Sequence, residues 1–484
     1  MADFFGTLKP GLLWKHFAKI LTVSRCSGKE KAMGDYIVSV AKAAGLAAKK
    51  DEVGNVCVEK PATAGREKAP GIILQCHQDM VCEKNSNVAH DFAKDPIQAE
   101  LKEGWVQAKG TTLGADNGIA IAACMAVMED TTLRHGPLEF LFTVDEERGL
   151  TGANKIRPGF LKGTRLLNLD SEEEGTFTIG CSGGADTELT LPLKRKKAAA
   201  KSQLYGLKIF GLRGGHSGID INQGRGNAIK ILSRLLWQAQ KKYKLEIVRM
   251  EGGSKRNAIP RETWAEVLVL PAEAERLSAF LAEAFAQVKN EFKTVEKELQ
   301  FSMEKKKGSP APLATASQNA LLNFLLGLPH GVQAMHPEIA GLVETSNNLA
   351  IVSLKKAQAQ IVCSSRSSVA SALDAIKNVI KAVADLAQAK AKSSAGYPGW
   401  APNLQSELLK KLKALHVQVF NTEVSVLAIH AGLECGIIGE KFPGMDMISF
   451  GPTIQHPHSP DERANVASVE NFWKFLTAAL ESLS

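Results

Sequence analysis

Cysteine is scarce in this chain, 8 of 484 residues, and no two cysteines stand in a C-x-x-C spacing. A disulfide framework is therefore excluded, and reduced thiols are expected. Long apolar runs are missing too. The longest, around Ile119–Met128, is far short of the ~20 residues that cross a bilayer. The opening MADFFGTLKPGLLWKHFAKIL is interrupted by Lys15, His16 and Lys19 and lacks the apolar stretch of a secretion signal. These absences together give the expectation of a cytoplasmic protein with no membrane partner. Aromatic residues make up only 6%. The basic runs Lys194–Lys197 and Lys305–Lys307 carry none between them. The net charge of +8, from 59 basic and 51 acidic residues, therefore reads as solvated faces and not as a nucleic-acid surface. No fixed-period repeat occurs, and no glycine string fits a nucleotide-binding loop.

What is present is an ordinary globular composition, 44% apolar and 23% charged. At roughly 150 residues per domain the length allows two or three domains. Up to about residue 185, strand-like runs (Val53–Glu59, Gly71–Cys76, Leu138–Val144, Arg165–Leu169) alternate with helical patterns over 12–45 and Ile119–Met128. That alternation predicts an α/β domain with a mostly parallel sheet and helices on both faces. Beyond the surface-like crossing LPLKRKKAAAK, the pattern becomes α+β, with strands near 203–212, 244–250, 263–270, 341–354 and 357–364. Helices are expected near 226–242, 272–294 and 369–390, and the Ala/Lys-rich stretch 381–395 reads as a helix end and linker. Elements of the first kind return near 405–418, 424–429, 445–450 and 467–483.

The chemistry lies at the ends of the apolar strands. His77 and Asp79 follow GIIL in CHQDMV, and Asp116 precedes the apolar helix in TLGADNG. Glu146 and Glu147 follow LEFLFTV, and Asp170 ends LLNLD. Open α/β sheets bind ligands outside the carboxyl ends of their strands. Each cluster alone has an ordinary explanation: a helix cap at Asp116, solvated loop charges at Glu146–Glu147 and Glu172–Glu174, a core histidine at His77. Their recurrence is what points to metal.

These motifs, with GGHSG at 214–218, RNAIP at 256–260, GYPGW at 396–400, HAGLECG at 430–436 and GPTIQHPHSPDER at 451–463, resemble the M20 family of co-catalytic di-zinc peptidases over essentially the whole chain. The resemblance implies two Zn2+ ions per chain, for which Co2+ or Mn2+ can substitute. It assigns His77 and Asp170 to one ion, Glu147 and His458 to the other, and Asp116 to both. A cis bond from Asp116 to Asn117 goes with that arrangement. By the same resemblance Asp79 orients His77. Glu146 is the general base toward a hydroxide held between the metals, and His216 stabilises the oxyanion, often from a partner subunit. Arg366, Asn257 and His430 are candidate substrate contacts, Arg366 because a guanidinium matches a carboxylate. Three adjacent acids, Asp145–Glu146–Glu147, leave open which is base and which is ligand. Of His456 and His458, the match to HSPDE picks the second.

The implied architecture is a catalytic domain over 1–185 and 397–484, with a lid and dimerisation domain inserted at 186–396. The implied activity is hydrolysis of unblocked dipeptides with histidine second, β-alanyl-histidine included. An Asp at 170 goes with aminopeptidase-like members. The alternative is a deacylase of N-acyl amino acids with the same fold.

Overall fold

The computed structural model describes residues 3–484, which form two compact units. The first comprises residues 3–181, 400–428 and 433–484, and the second 182–399 and 429–432. Among the described residues no helix is long and apolar enough to cross a membrane.

The first unit is built on an eight-stranded sheet. Its centre is parallel: Leu138–Thr143, Ile72–His77, Arg165–Asn168 and Asp446–Ser449 lie side by side in that order. Each of these strands is almost wholly buried, as expected of strands covered on both faces. The flanks are antiparallel, through Val56–Lys60 and Ala47–Lys50 on one side and Thr176–Cys181 on the other. The sheet is thus mixed, parallel where the sequence has apolar runs without tight turns. The Ala-rich helix Ala115–Glu129 is buried at every position from Ala115 to Met128. It shares one core with Leu13, Trp14, Phe17, Phe140, Phe142, Leu412 and Phe475. A separate four-stranded antiparallel sheet joins Ile454–Gln455, Arg463–Asn465, Trp105–Ala108 and Ala99–Lys102. It fixes the tail segment that carries His458 and Glu462.

The second unit is α+β. Its nine-stranded sheet has only antiparallel pairs among the described strands, and the helices Ala228–Gln240, Pro271–Glu291, Thr315–Gly327 and Ala370–Leu386 share one core with it. Two readings from sequence change here. Gly183–Pro192, which runs into the start of the supposed surface crossing, is a strand. The supposed linker contains the strand Lys390–Ser393, which pairs with it. Both lie at one end of the sheet path, where only one flank is hydrogen-bonded to a long neighbour and charged side chains remain tolerable.

The thiols also differ from expectation. Six are free and buried, but Cys26 and Cys82 are disulfide-bonded. Cys26 lies beside Met80 in a parallel bridge, so two short segments far apart in sequence are brought together.

His330 gives this unit a testable acid sensitivity. Its Nδ1 accepts hydrogen bonds from Asn227 Nδ2 at 3.2 Å and from the Leu349 N–H at 3.3 Å. Burial and the charge of Lys230 push its pKa down to about 4. The unfolded chain therefore binds more protons as pH falls from the ordinary histidine value. The stabilisation is complete above about pH 6.5 and is lost toward pH 4, up to about 3 kcal/mol. Thermal midpoints across that window should fall less steeply in His330→Gln than in the parent; identical slopes would refute this.

Candidate metal centre

Two trios of ligand-type atoms meet at one carboxylate in the first unit. His77 Nε2 lies 3.0 Å from Asp116 Oδ1 and 3.2 Å from Asp170 Oδ1. His458 Nε2 lies 3.1 Å from Asp116 Oδ2 and 3.0 Å from Glu147 Oε2. Asp116 thus offers one oxygen to each trio. Both sets of atoms are close enough to surround a cation.

The fold explains the convergence. His77 ends a central strand, Glu147 lies just past the neighbouring strand, and Asp170 lies two residues past a third. Asp116 stands in the first turn of the buried helix, and its bond to Asn117 is cis. Asp79 supports two of these positions, His77 and Glu147, and the adjacent Glu146. Its Oδ1 is 3.4 Å from His77 Nδ1 and accepts the Glu146 N–H at 3.0 Å, while Oδ2 accepts the Glu147 N–H at 3.3 Å.

The donor set fits divalent cations. Asp116, Glu147 and Asp170 crowd together with little solvent, and Glu147 Oε1 is buried without a partner. Carboxylates in such a setting need a compensating cation. One nitrogen and two oxygens per trio is a donor set of the catalytic zinc type. In the ion-free protein the protons on the two histidines supply the charge. His77 is raised well above the ordinary value, because the Asp170, Asp116 and Asp79 carboxylates outweigh its burial. His458 is pushed up to about 11 by its bonds to Asp116 and Glu147. Asp116 in turn is held far below the usual carboxylate range by the two histidines, despite burial. A cation must displace those protons, so affinity falls as pH is lowered.

Glu146 stands outside the two trios that share Asp116, although it can group with His77 and Glu147. Burial, and then the charges of Asp170, Glu434 and Glu147, hold its carboxyl well above the usual range against the opposing effect of His77. Asp145 is engaged elsewhere: it accepts from Arg148 Nε at 2.6 Å and from Thr151 Oγ1 at 2.5 Å. His456 is exposed and belongs to neither trio. In the acidic run, Glu172 feels the charges of Asp116 and Asp170, whereas Glu174 accepts a hydrogen bond from Asn471.

Beneath the ligands runs a buried polar layer that sequence reasoning missed. Glu434 Oε2 accepts from Gln75 Nε2 and Thr143 Oγ1, each at 2.6 Å, and its pKa is raised to about 8 by burial. Asn168 Nδ2 donates to Gln75 Oε1 at 2.5 Å, and Asn168 Oδ1 accepts from the Asp170 N–H at 3.3 Å. Gln75 sits two residues before His77, so the strand's alternation was the available signal.

The second unit collects its own cluster. His216 Nδ1 accepts the N–H groups of Gly218 and Ile219, both at 3.2 Å, which leaves Nε2 to carry the proton. Burial and the charge of Arg366 lower its pKa, so it is a neutral N–H donor. Arg366 is buried, with Nη1 donating to Tyr397 Oη at 2.9 Å and Nη2 lying 3.5 Å from His216 Nε2. Its Nε is buried without a partner, and among the described residues no carboxylate pairs with it. Such a guanidinium suits a ligand carboxylate. His430 Nε2 lies 2.7 Å from Ser346 Oγ, and burial together with Arg366 pushes its pKa down to about 3. Asn257 is exposed and lines a cavity of about 620 Å³ together with His216. Tyr397 and Ser346 had no assigned role from sequence.

A parallel-centred sheet with two such trios at its strand ends, and an inserted antiparallel unit, defines a class. The profile of Peptidase family M20/M25/M40 matches residues 73–482, and the chain belongs to that family of peptide-bond hydrolases. It is 39% identical over 476 residues to the cytosol non-specific dipeptidase of Escherichia coli, covering 98% of each chain. Its fold matches the aminoacylhistidine dipeptidase of Vibrio alginolyticus with a TM-score of 0.93 and 40% identity over 99% of each chain. The aminopeptidase PepT of Bacillus cereus shares the fold alone, at a TM-score of 0.59 and 15% identity.

Proposed function

We propose that this chain is a cytoplasmic, dinuclear-metal dipeptidase that hydrolyses unblocked dipeptides, Xaa-His substrates such as β-alanyl-histidine among them. The observation that carries the reading is Asp116, with one carboxylate oxygen toward the His77–Asp170 pair and the other toward the Glu147–His458 pair. His77, Asp116 and Asp170 would hold one Zn2+, and Asp116, Glu147 and His458 the other, with Co2+ or Mn2+ able to substitute. When bound, such ions polarise the peptide carbonyl and make a water more acidic.

The remaining work falls to side chains. Glu146 takes the proton of the attacking water and returns it to the leaving amine. Asp79 holds His77 and the backbone of Glu146 and Glu147 in place. His216 offers its Nε2–H to the developing oxyanion. Arg366 receives the substrate carboxylate, with Asn257 and His430 as further contacts. Residues 186–396 serve as lid and as the surface of a homodimer. The names of the two close relatives, one a cytosolic dipeptidase and one an aminoacylhistidine dipeptidase, support substrate class and compartment.

The test is a panel of unblocked dipeptides beside N-acyl amino acids, before and after chelation. Unblocked Xaa-His should be cleaved about 100-fold or more faster than N-acyl amino acids. Activity should vanish on chelation and return with Zn2+ or Mn2+. Preference for N-acyl substrates would favour a deacylase, and full activity after thorough chelation would overturn the mechanism.

A further inference from the structure

Behind the ligand cluster lie a buried guanidinium and a buried carboxyl group that no step above uses. Arg25 is only 2% exposed. Its Nη1 donates to the Asp79 carbonyl at 2.7 Å and to the Gln78 carbonyl at 3.3 Å, and Nη2 donates to the Gly114 carbonyl. Glu462, also 2% exposed, works from the other side. Its Oε2 accepts the N–H groups of Leu113 and Gly114, both at 2.8 Å, and Oε1 accepts the Asp116 N–H at 3.1 Å.

Gly114 is therefore held at its carbonyl by the Arg25 guanidinium and at its N–H by the Glu462 carboxyl oxygen. Its φ of 69° is in the left-handed region, where a side chain is disfavoured. A Cβ there would come within 2.5 Å of Arg25 Nη2 and 2.7 Å of Met80 Sδ. At Gly118 a Cβ would come within 2.7 Å of the same Nη2. The guanidinium thus fills the space two glycines leave. Arg25 itself is fixed by its backbone, whose carbonyl accepts the Met80 N–H at 3.1 Å, and the next residue, Cys26, is bonded to Cys82.

We propose that Arg25 and Glu462 are positioning residues: together they clamp the 113–116 loop and the 78–79 backbone, and so set where Asp116 and Asp79 present their carboxylates. Asp116 reaches both trios, and Asp79 braces His77, Glu146 and Glu147. One clamp thereby fixes the ligand geometry of the whole centre. Burying a guanidinium and a carboxylate merely for stability is poor design, since apolar residues fill such space better. Their contacts with the backbone of Leu113, Gly114 and Asp116 and with that of Gln78 and Asp79 account for their presence.

The proposal rests on the metal-centre reading, and the experiment separates the two. Glu462→Gln keeps the shape but exchanges one acceptor oxygen for an amide, which meets backbone N–H groups with another donor. Arg25→Lys keeps the charge but loses the fork. Each variant is compared with the parent by competition of the apo-protein for Zn2+ against a chromophoric chelator, by thermal midpoint, and by kcat and KM at saturating Zn2+. Both should weaken Zn2+ binding by about 10- to 100-fold, as loss of a residue supporting metal ligands does. KM should be unchanged and kcat lower, with Glu462→Asp recovering part of the affinity. Glu462→Gln decides alone if Arg25→Lys does not fold. Parental Zn2+ affinity and kcat in the folded Glu462→Gln protein, whatever its thermal midpoint, would overturn the clamp. Failure of the parent itself to bind Zn2+ would instead overturn the metal-centre reading.

Discussion

Replacement of Glu146 by Gln is expected to lower kcat by about 10³- to 10⁴-fold, within the range for loss of a general base, while metal content stays at the parental level. The glutamine occupies nearly the same volume and cannot take a proton. Glu146 lies outside the two trios that share Asp116 but can group with His77 and Glu147, so metal content and rate must be read together. Loss of an ion in Glu146→Gln would make Glu146 a ligand and transfer the base role to another acid. Only the ionised carboxylate can take a proton, so the pH profile adds a second signature. The parent's rate should fall on the acid side as this carboxyl is protonated, and the residual rate of Glu146→Gln should lack that limb. KM should change little, because no contact with a substrate carboxylate or amine is removed.

How much of this was legible in the sequence depends on whether the partner was local. An apolar run followed by an acid or histidine is a local pattern, and it located His77, Glu147 and Asp170, whose strands are neighbours in the sheet. The parallel centre followed from the same runs. His458 could be named only by resemblance, since its partner Asp116 lies 342 residues away and is reached through a small sheet of short strands. Arg25, Glu462 and Glu434 were invisible for a related reason. Arg25 and Glu462 grip backbone groups, and backbone groups leave no mark on sequence. Glu434 meets Gln75 across 359 residues. Asp145 illustrates the opposite case. It looked as eligible as its two acidic neighbours until a φ of 54° and bonds to Arg148 and Thr151 set it apart. The Cys26–Cys82 bond, 56 residues apart, was likewise out of reach of a count of cysteines.

Asp116→Ala should be the most damaging single change, because it removes an oxygen from both trios at once. Apo-protein loaded at a fixed free Zn2+ concentration and analysed by mass spectrometry should bind about two ions per chain in the parent, the number a co-catalytic centre needs. Asp116→Ala should bind close to none at that concentration, and its turnover should fall to background. His458→Ala and Asp170→Ala each remove a ligand from one trio and should mainly cost one ion. The contrast follows from geometry: Oδ1 faces His77 at 3.0 Å and Oδ2 faces His458 at 3.1 Å. Two full ions in Asp116→Ala would mean that the trios do not share it. Lowering the pH should mimic the loss in the parent. His77 and His458 hold their protons more tightly than an ordinary imidazole in the ion-free protein, so Zn2+ affinity should fall steadily below neutrality, with proton release on binding measurable in weakly buffered solution. Asp116→Ala removes the carboxylate that both imidazoles face, so any residual binding should depend less steeply on pH.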